Sequence, residues 1–276
     1  MTTGPENKIK FSGLEKPVTR AMIVIRLTLS ILAVITFYSL ITLDYGSVNI
    51  PRAVCDTLNN FRTIFIHPFS RRLSIPDIFY EILVTIGLSI LITVFSGVIA
   101  LFLGLLGARN LSPKRVTSAV KAFVAFIRAV PSILWVLIFA VSAGLGSTAA
   151  VIGLSFHSIG YLTKAFAECY EELDRGVIDA LKSTGAGWWT IVFQAVIPSS
   201  ATYLLSWTFL RFELNFSNAV AMGAAAGAAG IGFDLFMSST MYFDLHEVGL
   251  ITYFILAFAV TLEIIAMKVK SKLKEK

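Results

Sequence analysis

The chain has 276 residues, 56% of them hydrophobic and only 14% charged, with a mean hydropathy of +0.79 and a net charge of +6. That much apolar surface excludes an ordinary soluble domain and assigns most of the chain to lipid. The basic residues are scattered between apolar runs rather than gathered on one folded face, which excludes nucleic-acid binding.

An apolar run of ~20 residues crosses the hydrocarbon core as a helix, the only single-segment state that satisfies its own backbone there. The N-terminal segment (1–20) is polar, with Lys8, Lys10, Lys16 and Arg20, and leads into a first span at Ala21–Leu43, too long for a signal-peptide core and read as an uncleaved anchor. A connection follows over 44–77, read as external although it carries Arg52, Arg62, Arg71 and Arg72. Its length allows translocation against that charge bias. The core of the protein is then expected over 78–276, with spans at Ile78–Ala108, Pro131–Gly146, Ala149–Tyr170, Ser199–Met222 and Glu247–Met267. The third span is short, and the basic segment Pro113–Val130 is expected to extend it as a helix. About six transmembrane helices in an all-α, polytopic fold result.

Orientation follows from the basic flanks: Arg109, Lys114, Arg115 and Lys121 after the second span, Arg175 and Lys182 after the fourth, and Lys268, Lys270, Lys272, Lys274 and Lys276 at the end. The positive-inside rule puts both termini and the 174–198 segment in the cytoplasm. Cys55 and Cys169 then fall on opposite sides of the membrane and cannot pair.

Segment 174–198 does not read as lipid-facing. It opens with Asp179 and Ala180, breaks at Gly185 and Gly187, resumes as an aromatic run with Trp188, Trp189 and Phe193, and meets Pro198. Two short helices joined at a glycine bend, stopping at the proline, are predicted. Their apolar face needs a cover: either the membrane surface or a separate soluble protein.

Polar residues inside spans are costly and mark a pathway or a paired structural site. Arg211 and Glu213 are two apart on a helix and cannot neutralise each other, whereas Lys164 and Glu168 are four apart and can pair. His157 is either pathway-facing or a hydrogen-bonded core residue. Arg128 either caps carbonyls or lines an inner vestibule, and Asn215 joins Arg211 and His157 nearest the route. The stretch Gly223–Gly232 is open to three readings: close backbone packing, a re-entrant turn whose amides greet an anion, or a plain flexible turn. No site for chemistry is visible. The sequence has no glycine followed by lysine, so no phosphate loop, no zinc spacing among His67, His157 and His246, and no GxSxG elbow. The chain is read as no enzyme, with no metal or cofactor of its own.

The run DALKSTGAGWWTIVFQAVIP resembles the EAA loop of ABC importer membrane subunits, with Asp179, Ala180, Gly185, Ile197 and Pro198 on the motif's positions. That resemblance implies a type I importer permease fold and a coupling helix seated on an ATP-hydrolysing partner, ATP-Mg being held by that partner. More narrowly, RAVPSILWVLIFAVSAGLG, FHSIGYLTKAFAECYEELD, YLLSWTFLRFELN and GAAGIG are similar to phosphonate-type permeases, a family that includes phosphite systems. Arg128, Pro131, His157, Gly160, Lys164, Arg211, Phe212, Glu213 and Asn215 fall on its motifs. Ser217-Asn218 and Ala229 depart from its usual residues. The resemblance implies a homodimer in the bacterial inner membrane, two ATPase subunits, and a periplasmic or lipid-anchored binding protein delivering a phosphonate- or phosphite-like anion. Other solutes (phosphate, a metal ion, an amino acid), an ion-driven secondary transporter and a membrane scaffold are the alternatives.

Overall fold

The computed structural model describes residues 20–43, 46 and 48–274, without the side chains of 269, 270 and 272–274. The lysines before Arg20 and the terminal Lys276, used above to orient the chain, lie outside the described residues. The chain divides into two compact units, meeting between Asp56 and Thr57.

The first unit holds α1 (Arg20–Thr42), whose side chains are almost all exposed, and the start of α2 (Ile50–Ile66), where Arg52 and Asp56 approach to 3.9 Å one helical turn apart. The connection read as external therefore contains a helix of 17 residues.

The second unit begins in α2 and continues with α3 (Ile75–Gly107), opened by a capping box in which Ser74 and Asp77 satisfy each other's backbone amides. α3 is apolar outside, but Thr85, Ser89, Thr93 and Ser96 form an inward stripe. Each hydroxyl bonds the carbonyl four residues back, at 2.6 to 2.9 Å, which makes the polar stripe tolerable in a buried face.

α4 (Lys114–Ala129) and α5 (Ser132–Ala143) do not form the continuous rod expected over 113–146; they meet at 89°. Pro131 is the cause. It lacks the amide hydrogen a helix would use and forces Val130 into extended backbone at φ −91°, ψ 125°. Trp135 Nε1 donates to Ile127 O across the bend at 3.0 Å and locks the angle.

α6 (Ser147–Glu171) is the hub, packed against α3, α4, α5 and α9 (Ile197–Ala226). A Cβ on Gly153 would lie 2.5 Å from the Val136 backbone, and one on Gly160 would lie 2.8 Å from Ile127 Cγ2, so two glycines set the close approach of α5 and α4. α6 falls short of the apolarity a lipid-facing span needs because protein, not lipid, surrounds much of it. Among the described residues, α1, α3 and α11 (Leu245–Lys274) are long and apolar enough to span alone, and two bent pairs raise the number to five.

After α6 come α7 (Arg175–Ser183) and α8 (Trp188–Ile191), joined by a turn in which Gly185 adopts φ +81°. The predicted helix–glycine–helix hairpin is present, but Pro198 does not stop it. From Val192 to Val196 the helix widens to π geometry, Ile197 N–H reaching back to Val192 O, and then runs on as α9. The wider turn absorbs the amide that proline lacks and relieves its ring from the preceding turn.

α9 ends at Gly227 (φ +64°) and, after Gly230 (φ +110°), α10 (Ile231–Thr240) folds back. Gly223–Gly232 is thus both a turn and a close contact. A Cβ on Gly232 would strike the Val220 carbonyl, and Ile231 N–H donates to Thr85 Oγ1 at 3.0 Å.

Candidate coupling hairpin and intramembrane polar path

The hairpin is built from α7, its glycine turn and α8. Asp174 caps α7 by accepting from Gly176 N–H at 2.9 Å. Ile178 (2% exposed), Ile191 and Val192 are buried with Leu105, Phe166 and Tyr170 from the ends of α3 and α6. The two tryptophans divide. Trp188 turns inward and its Nε1 donates to Leu111 O at 2.8 Å, fastening α8 to the α3–α4 loop. Trp189 remains 54% exposed, stacked with the 61%-exposed Phe193 at 5.8 Å, and Val177 is exposed with them. Asp179, Ala180, Gly185 and Pro198 are also exposed, Asp179 lying 3.8 Å from Lys182. The hairpin is thus pre-formed and anchored, and it leaves an aromatic and an acidic feature at the surface.

A second feature runs through the core. Arg211 on α9 is only 3% exposed. Its Nε donates to Ser158 Oγ at 2.9 Å, Ser158 donates to Asn215 Oδ1 at 2.9 Å, and Asn215 Nδ2 donates to Thr93 Oγ1 at 2.9 Å, joining α9, α6 and α3. The guanidinium lies 5.0 Å from the Tyr161 ring centroid. No carboxylate is within ion-pair distance of Arg211 among the described residues, and its Nη2 is buried without a partner. Glu213, two residues on, is half-buried and apart from it, as helical spacing requires.

His157 sits within electrostatic reach of both Arg211 and Arg128. Its Nδ1 is buried without a hydrogen-bond partner among the described residues. His157, Tyr161, Lys164 and Glu168 fall on one face of α6, at steps of four, three and four residues. Lys164 and Glu168 do pair, at 3.5 Å, in an exposed setting. Arg128 lies beside Gly160, with Lys164 and Glu168 around a cavity of ≈320 Å³ between α4 and α6. So Arg211 and Asn215 are joined in one buried network, Arg128 and Lys164 in one cavity, and His157 stands between them.

Sequence reasoning missed a third cluster. Arg72 Nη2 donates to Glu247 Oε1 at 2.8 Å and to Asp234 Oδ1 at 3.1 Å, and its Nε to Glu247 Oε1 at 2.9 Å. Ser70 and Ser238 also donate to Glu247, which is 2% exposed. The arginine that ran against the charge bias of its segment is a clasp holding the 67–74 loop to α10 and α11. At the hairpin end, burial would raise the Glu171 carboxyl, but hydrogen bonds from Lys121 Nζ (2.8 Å) and Arg109 N–H (2.9 Å) outweigh it and leave it below the usual range.

The chain is 32% identical over 186 residues to the phosphate-import permease protein PhnE of Mycolicibacterium smegmatis, covering 67% of this chain and 35% of that one. It is also 32% identical over 174 residues to the phosphite transport system permease protein PtxC of Stutzerimonas stutzeri, covering 63% and 62%. The chain therefore spans between about a third and three fifths of the length of these relatives. In fold it matches the inward-facing crystal structure of the MetNI methionine ABC transporter, with a TM-score of 0.65 at 18% identity over 73% of this chain and 99% of that one. This is the all-α type I importer permease fold. Residues 100–269 carry the signature of the binding-protein-dependent transport system inner membrane component, and the chain belongs to that family.

Proposed function

We propose that the chain is the membrane-spanning permease of an ATP-driven importer, itself without catalytic activity, moving a phosphonate- or phosphite-like oxyanion. The observation that carries the reading is the hairpin: an anchored element leaving Trp189 and Phe193 uncovered beside Asp179 and Ala180. Exposed aromatic surface of this kind is what an interface buries first. A groove in an ATPase subunit receives it, with Asp179, Ala180, Gly185, Trp189 and the Pro198 turn at or beside the contact and Trp188 bracing it from within. Two copies of the chain form the pathway, two ATPase subunits bind ATP-Mg on the hairpin side, and a soluble or lipid-anchored binding protein delivers cargo to the opposite face. Arg175 and Lys182 on the hairpin, with the lysines of the C-terminus, support a cytoplasmic hairpin and cytoplasmic termini.

Cargo charge is supported by cations that lack acidic partners. Arg211 is held by neutral groups only, and Arg128 has no carboxylate within ion-pair distance among the described residues. With His157, Lys164, Glu213 and Asn215 they form the route, which opens as the ATPase pair closes. The names of the phosphate and phosphite relatives fit such a cargo. A second reading, an amino-acid cargo, is favoured by 31% identity over 159 residues to the methionine import system permease protein MetP of Bacillus subtilis. Reconstituted with its ATPase and binding protein, the complex should hydrolyse ATP faster with phosphite or a simple alkylphosphonate than with methionine. Stimulation by methionine alone would reverse the cargo assignment.

A further inference from the structure

We infer that the cavity between α4 and α6 is a binding site for a phosphoryl-type oxyanion, formed by Arg109, Lys121, Arg128 and Lys164 on the hairpin side of the protein. Its volume, ≈320 Å³, is that of a small-ligand site. A second cavity of ≈580 Å³, sharing Arg109 and Lys121 and adding Ser112, Lys114 and Ser118, adjoins it. Trp188 bonded to Leu111 O puts the loop that carries Arg109 next to the hairpin.

Charge accounting points to an anion. Lys121 is answered by Glu171 at 2.8 Å and Lys164 by Glu168 at 3.5 Å. Neither the Arg109 nor the Arg128 guanidinium has a carboxylate within ion-pair distance among the described residues, although Glu171, already paired with Lys121, also accepts from Arg109 N–H and feels its charge. Positive charge therefore remains in excess around the cavity, most clearly at Arg128. A guanidinium presents its donors in a fork that matches a tetrahedral oxyanion two oxygens at a time, which an ammonium cannot do. Thr163, 1% exposed, also belongs to the cavity wall.

The ligand chemistry is shared by two sources. A dissolved phosphate or phosphite could occupy the cavity. So could the phosphodiester of an acidic lipid, because the 89° bend turns the basic, amphipathic α4 across the axis of α5, the attitude of a helix lying in a membrane interface. Arg128 and Lys164 also belong to the proposed route, but the binding itself needs no ATPase, binding protein or transport cycle; its loss leaves the hairpin assignment standing, and failure of transport leaves it measurable.

The test uses the full chain in nanodiscs of neutral phosphatidylcholine, titrated with inorganic phosphite and phosphate, and in parallel in discs containing phosphatidylglycerol with no free phosphate, where retained lipid is counted by native mass spectrometry. Saturable binding in the first arm identifies a dissolved anion as the source, and selective retention of phosphatidylglycerol in the second identifies the headgroup; either supports the site. Arg109→Gln and Arg128→Gln should each weaken that binding at least about tenfold, the loss of one charge-assisted hydrogen bond or more. Arg62→Gln on α2, a charge change away from the cavity, should leave it unchanged. Both arginines are exposed, so the variants are expected to melt with the parent, and matched melting curves check that they fold. No binding in either arm, or binding indifferent to both arginine substitutions, overturns the proposal.

Discussion

The adjacent tryptophans give the sharpest test, because the account assigns them opposite work. Trp188 is half-buried against the ends of α3 and α6 and donates one hydrogen bond, to Leu111 O at 2.8 Å. Trp188→Phe keeps most of the packing and removes that bond, which costs about 1 kcal/mol. Trp188→Ala also removes the ring; full burial would make this about 3–5 kcal/mol, and half-burial brings it to roughly 2. Trp189 is 54% exposed, with Phe193 as its neighbour, and Trp189→Ala should cost well under 1 kcal/mol of permease stability. Its loss should appear at the partner instead: truncating a central aromatic anchor costs about 2 kcal/mol of binding, or roughly thirtyfold in affinity. The assay pairs thermal melting of the purified permease with titration of the ATPase subunit onto it. The expected pattern is a lowered melting point for Trp188→Ala and a thirtyfold weaker partner for Trp189→Ala at an unchanged melting point. If Trp189→Ala destabilises the permease as much as Trp188→Ala, or binds the ATPase like the parent, the division of labour is refuted.

Other consequences are as direct. Gly232→Ala drives a methyl into the Val220 carbonyl and should cost at least about 3 kcal/mol, whereas Gly87→Ala and Gly97→Ala meet open space and should not destabilise; thermal melting of the three variants separates them. Arg72→Ala removes the cation from Glu247, leaving a 2%-exposed carboxylate with only Ser70 and Ser238, and should cost about 3 kcal/mol in the same assay. Replacing Arg72 and Glu247 together by Met should cost less than Arg72→Ala alone. Glu171 is held below the usual carboxylate range, so its contribution to stability is fully present above its unfolded pKa of ~4.3 and is lost as pH falls through the lower folded value. Glu171→Gln should therefore flatten the melting-temperature profile below about pH 4.3 and lower it above.

What could be read in the sequence was local. The hairpin follows from Gly185, which must take positive φ, and from polar residues that cap its first helix, so a few neighbouring residues decide it. Lys164 and Glu168 pair because helical spacing leaves them no choice. α2 does not stand out from its connection because its apolar positions alternate with Arg52, Asp56, Asn59, Asn60 and Arg62, a pattern short of a span. Pro198 looks like a stop in the sequence, which does not reveal a π turn that carries the helix through it. Arg72 is the instructive miss. Its partners lie 162 and 175 residues away, and an arginine viewed only against its own flank looks like an orientation signal. The buried chain from Arg211 to Thr93 was half legible: the charge was conspicuous, but the neutral hydroxyls that hold it belong to other helices.

The claim on which the account depends is that the α7–α8 hairpin seats against a separate ATPase. It is tested by attaching a photo-crosslinker to Asp179→Cys in a Cys55→Ser, Cys169→Ser background and irradiating native membranes in which all subunits are co-expressed. A covalent adduct between this chain and the ATPase polypeptide is expected, formed from the cytoplasmic face and lost when the ATPase is omitted. An adduct with lipid alone while the ATPase is present, or labelling only from the opposite side, would contradict it.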